Sequence, residues 1–81
     1  MDEKDILDSI GRYVSDEQKL RERYQRGELS GAEENRRLER IELALDQCWD
    51  LLRQRRARLA AGEDPDLATP RPPDEVEGYL Q

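Results

Sequence analysis

Apolar residues step by threes and fours along two separate stretches of this chain. Ile6, Ile10, Tyr13, Leu20 and Tyr24 form the first stripe, and Leu38, Ile41, Leu45, Cys48, Leu52 and Leu59 form the second. Such spacing is that of a helix with one buried face. Folding the chain at Gly27–Leu29 sets Leu20 against Leu38, Tyr13 against Leu45, Ile10 against Cys48 and Ile6 against Leu52. Each pair of positions sums to 58, so one register satisfies both stripes. The fold this predicts is all-α, an antiparallel, coiled-coil-like two-helix hairpin. Glu17, opposite Ile41, interrupts the stripe and is expected to reach outward or to meet a partner subunit.

The ends of both helices carry their own signals. Asp2, Glu3 and Asp5 crowd the start of the first, where carboxylates favour the positive end of the helix dipole. Arg21, Arg23 and Arg26 close it, and Gly27 can take the left-handed conformation that ends many helices. Ser30 and Glu33 read as a capping box opening the second helix, and Gly62 with Pro65 beyond ends it. The predicted organisation is a hairpin over residues 1–62, with helices at about 3–26 and 31–61, then a tail over 63–81.

Charge supports the antiparallel arrangement. The acidic start of helix one falls beside Arg53, Arg55, Arg56 and Arg58, with Glu3 expected against Arg55. Its basic end falls beside Glu33, Glu34 and Glu39. Residues 1–60 hold 14 acids and 13 bases, and residues 61–81 hold 6 acids and 1 base, so the net charge of −6 sits mainly in the tail. A nearly neutral helical part argues against general nucleic-acid binding, which needs a basic footprint.

Some apolar residues do not fit into a hairpin seam. Leu7, Val14 and Trp49 occupy equivalent heptad positions beside the seam and share one flank. Leu51 and Ala44 lie on the opposite flank, and Leu43 points outward. Charged residues make up 42% of the chain and aromatics 5%, which is too few large apolar groups for a broad core. A lone hairpin of this size is marginal, since small single cores rarely supply more than about 3–5 kcal/mol. A homodimer through Leu7, Val14 and Trp49, two hairpins making a four-helix bundle, is therefore expected.

The tail changes character. Four prolines between positions 65 and 73 favour extended chain over helix. Val76, Tyr79 and Leu80 then stand among acids, an apolar cluster that a merely solubilising tail does not need. Two readings stay open for it. Either the cluster docks on its own protein or dimer mate near the Arg-rich end of helix two, or it is a peptide handed to a partner.

Few other signals along the chain bear on chemistry. Leu38, Leu45, Leu52 and Leu59 recur every seven residues, but GELSGAEEN precedes them where a DNA-binding zipper needs a basic helix. Arg53, Arg55, Arg56 and Arg58 form a basic patch that could grip phosphate; the plainer reading is a helix end facing the acids of helix one. Cys48 lies on the seam and reads as a small buried hydrophobe, and a single cysteine precludes an intramolecular disulfide. Histidine is absent, and no phosphate loop, metal-ligand spacing or nucleophile–base pair stands out. No catalytic residue, cofactor or metal is expected. The N-terminus does not read as a signal peptide and no apolar run approaches a membrane span, so a cytoplasmic protein is expected.

DILDSI at the start, RERYQRGELS in the middle, Leu45 to Arg58, and Pro72 to Gln81 together resemble a small actinobacterial family, domain of unknown function 2630. The resemblance spans nearly the whole chain and implies a bacterial, cytosolic setting without implying an activity. The function expected from the surfaces is a non-enzymatic protein–protein interaction module, a small adaptor or regulator of an unknown protein partner. The alternative is a nucleic-acid-associated factor using the Arg-rich helix ends.

Overall fold

The computed structural model describes residues 2–71, which fold as two antiparallel helices and a short returning segment. Helix α1 spans Glu3–Gln25 and helix α2 spans Gly31–Ala60. The rod measures 51 × 25 × 15 Å, its length close to that of α2 at about 1.5 Å per residue.

Local chemistry sets each end. Asp2 caps α1 by a reciprocal box: the Asp5 amide donates to the Asp2 carboxylate at 2.9 Å, and the Asp5 carboxylate accepts from the Asp2 amide. At the start of α2 only half of the predicted box forms. The Ser30 hydroxyl accepts from the Glu33 amide at 3.1 Å, while the Glu33 carboxylate turns to Arg36 and Arg37. Two guanidinium partners outcompete one backbone amide for that exposed carboxylate.

Both helices end on the same device. Gly27 and Gly62 have φ of 77° and 76°. The Glu28 amide then donates back to the Arg23 carbonyl, and the Glu63 amide to the Arg58 carbonyl. This closure of the last turn needs a left-handed residue, which glycine adopts without a Cβ clash.

The core sits at the open end of the hairpin. Ile6, Ile10, Leu51 and Leu52 are buried together, with Leu45, Cys48 and Ala68 packed against them. Leu20 is buried nearer the turn, while Leu38 and Ile41 are half-buried. Two seam expectations need correction. Leu59 is 61% exposed, because α1 begins at Glu3 and offers nothing opposite the end of the longer helix. Tyr24 is also exposed, its ring lying over Gly31 beside the turn. Glu17 pairs with Arg21 one turn on along α1, at 3.0 Å.

After Gly62 the chain doubles back along α2. Pro65 starts a 3₁₀ turn over Pro65–Leu67, capped by the Asp64 carboxylate, so this part of the tail is not wholly extended. Its fixed φ and missing N–H suit the first position of a helical turn. Residues 63–71 form a strap lying on α2.

Candidate interaction surface

Helical geometry gives α2 four sides: a seam toward α1, two flanks and an outer face. The strap covers one flank and continues onto the outer face. Gln47 donates to the Arg71 carbonyl at 3.2 Å, Gln54 donates to the Thr69 carbonyl at 2.9 Å, and Arg55 donates to the Pro65 carbonyl at 3.3 Å and to the Asp66 carboxylate at 2.8 Å. Pro70 joins Tyr13, Ala44, Gln47, Cys48 and Leu51 around a notch of about 150 Å³. Leu51, an unassigned apolar residue on this flank, is buried here.

Asp50 is the centre of the strap contact. Its position points away from α1, yet it is 1% exposed. The Arg71 guanidinium grips both carboxylate oxygens, with Nε donating to Oδ2 at 2.9 Å and Nη2 to Oδ1. Gln54 Nε2 donates to Oδ2 at 2.9 Å, and Arg53 stands 3.8 Å away. The hydrogen bonds from Arg71 hold the Asp50 carboxyl below its ordinary range, against the opposing pull of burial. The pattern reading missed this pair. Its traces were there: Asp50 is the lone charge in the run Cys48–Leu52, and Arg71 is the lone base after residue 60.

Among the described residues, no segment covers the other flank. Leu7, Val14 and Trp49 are 44%, 52% and 43% exposed. Trp49 lies at a level between Leu7 and Val14 in the hairpin register, so the three form one apolar triangle. Asp46 and Arg53 bracket Trp49 one turn to either side on α2.

The predicted basic patch is dispersed. Arg56 pairs with Glu3 at 3.0 Å, Arg58 with Glu63 at 3.2 Å, Arg55 with Asp66, and Arg53 lies near Asp50. Glu3 thus meets Arg56 and not Arg55, because Arg55 is buried against the strap. Cys48 is half-buried, and burial raises its thiol pKa against a lowering pull from Arg12. Val76, Tyr79 and Leu80 lie outside the described residues. Among the described residues, no group of three or more His, Cys, Asp or Glu side chains could hold a metal ion. No helix there is long and apolar enough to cross a membrane.

A small helical hairpin with a strapped flank is the class these features define. Residues 2–81 match the family described as "Protein of unknown function (DUF2630)", and the chain belongs to it. It is 49% identical over 77 residues to "Uncharacterized protein Rv0898c" of Mycobacterium tuberculosis and to "Uncharacterized protein Mb0922c" of Mycobacterium bovis. Each alignment covers 95% of this chain and 88% of the relative. No solved structure matches the chain.

Proposed function

We propose that the protein is a non-enzymatic interaction module, a small adaptor or regulator, working as a homodimer. Two hairpins pack as a four-helix bundle through the flank of Leu7, Val14 and Trp49. The observation that carries this reading is the asymmetry of the rod. One flank is covered by the strap, and the other presents a tryptophan and two aliphatic side chains to water. Large apolar groups clustered on one side favour association, and tryptophan is enriched where association energy concentrates. Charge fits as well, since an antiparallel pairing about Trp49 sets Asp46 of one chain against Arg53 of the other.

The alternative, a nucleic-acid-associated factor, has less support. Arg55, Arg56 and Arg58 each pair with a carboxylate of this chain, and Arg53 lies beside Asp50. Sedimentation equilibrium tests the dimer. Wild-type protein is expected as a dimer, and Trp49→Glu as a monomer that keeps its helicity. A helical wild-type monomer at micromolar concentration would overturn the reading. A steep salt dependence of binding to RNA or DNA would favour the alternative.

A further inference from the structure

The strap lies on α2 in the way a bound peptide lies on a receptor. Beyond Glu63, the backbone–backbone hydrogen bonds of its described residues stay within it, from the Leu67 amide to the Asp64 carbonyl and from the Ala68 amide to the Pro65 carbonyl. Side chains of α2 reach out to hold it. Gln54 and Gln47, two turns apart on one helix face, donate to the carbonyls of Thr69 and Arg71, two residues apart on the strap. Such contacts read backbone path and not side-chain identity. Pro70, between those carbonyls, forms one wall of the notch that Tyr13, Ala44, Cys48 and Leu51 also line. The Arg71 guanidinium then takes both oxygens of a carboxylate that is otherwise sealed from water.

From this arrangement we infer that the strap-covered side of α2 is a recognition groove for an extended Pro-Arg segment of a partner protein. The chain's own strap is the resident occupant, which the partner segment displaces. Three subsites define the ligand: glutamine amides for two alternate carbonyls, the apolar side chains of Tyr13, Ala44, Cys48 and Leu51 beside the proline, and Asp50 for arginine. A two-pronged carboxylate selects arginine over lysine, whose ammonium cannot bridge both oxygens in one plane. The acidic chain also draws a basic segment toward it. Displacement breaks the strap's bonds to Gln47, Gln54, Arg55 and Asp50 and lifts Ala68 from the core, and an incoming segment remakes the bonds to Gln47, Gln54 and Asp50. A tethered occupant competes at an effective concentration of about millimolar. A strap closed in about nine molecules of ten weakens an incoming ligand about tenfold.

The test uses the full chain and a fluorescein-labelled peptide with the sequence of residues 65–71, followed by anisotropy. The Arg71→Glu chain, whose strap is repelled from Asp50, should bind the peptide about tenfold more tightly than wild type. Binding should fall away when the peptide's arginine is replaced by glutamate, and weaken with lysine. Equal binding by both chains, or indifference to that arginine, overturns the inference. Should Arg71→Glu lose its helical signal, wild type is titrated with millimolar peptide by NMR. The side-chain amides of Gln47 and Gln54 must then shift, and unmoved resonances overturn the inference. A wild-type dimer abolished by Arg71→Glu also overturns it, since the groove would then take a second copy's strap. The groove lies apart from Leu7, Val14 and Trp49, so Trp49→Glu leaves peptide binding unchanged and separates this result from the fate of the dimer.

Discussion

Asp50 and Arg71 are 21 residues apart in sequence and form a two-pronged ion pair on the side of α2 that faces away from α1. The pair turns an exposed helix face into an interior one. Without the strap, Asp50 would be a solvated acid on an outer helix face; with it, the carboxylate is 1% exposed.

Removing both partners should therefore cost less than the two single removals added together. Arg71→Ala leaves a buried carboxylate with Gln54 and Arg53 alone, and should destabilise the fold by about 1–3 kcal/mol. Asp50→Ala should cost a similar amount, and the double variant less than the sum of the two. A double-mutant cycle from urea unfolding measures the coupling. A sum that is simply additive would mean the pair is ornamental.

The same pair gives the protein an acid limb. The Asp50 carboxyl is held below its ordinary value of 3.8, chiefly by the Arg71 hydrogen bonds. A depressed carboxyl contributes stability that is fully present above the unfolded value and is lost as pH falls through the folded one. The gap in Tm between wild type and Asp50→Asn should thus be constant above about pH 5 and close as pH drops below 3.8. Thermal scans by circular dichroism at a series of pH values check this.

Cys48 should behave as a structural thiol. It packs against the core, and burial raises its pKa, so little thiolate forms near neutrality. Alkylation followed by mass spectrometry should be slow in buffer and fast in denaturant. Rapid labelling of the folded chain would contradict the packing.

Two glycines should respond in opposite senses to alanine. A Cβ at Gly11 meets nothing within 4 Å, so Gly11→Ala should stabilise α1 by about 1 kcal/mol. Gly27 has φ of 77°, where alanine is strained, so Gly27→Ala should destabilise by about 1 kcal/mol. Paired thermal melts compare them.

The hairpin was legible because its seam is periodic. Ile6 and Ile10 on one helix, and Leu45, Cys48 and Leu52 on the other, repeat at helical spacing, and a repeat survives errors at single positions. Exact ion pairing was less legible. Glu3 meets Arg56 because Arg55 is drawn to Asp66, and nothing periodic announces that competition. Asp50 was missed for a related reason. A single acid on an outer helix face reads as solvated, and its partner lies across a segment whose path no repeat encodes. Leu51 looked surplus to a two-helix seam until the strap supplied its cover.

The placement of the core bears on how the chain acquires its structure. The tight turn at Gly27 joins the helices where packing is loosest, with Tyr24 exposed and Leu38 half-buried. The best-buried cluster, Ile6 and Ile10 with Leu51 and Leu52, lies at the far end. A hairpin zipping up from its turn thus meets most of its reward last. Partly zipped chains have ordered backbone with little burial to offset it, so they stay scarce. The late reward makes assembly all-or-none, even though the rod is thin and its neighbouring turns touch only locally.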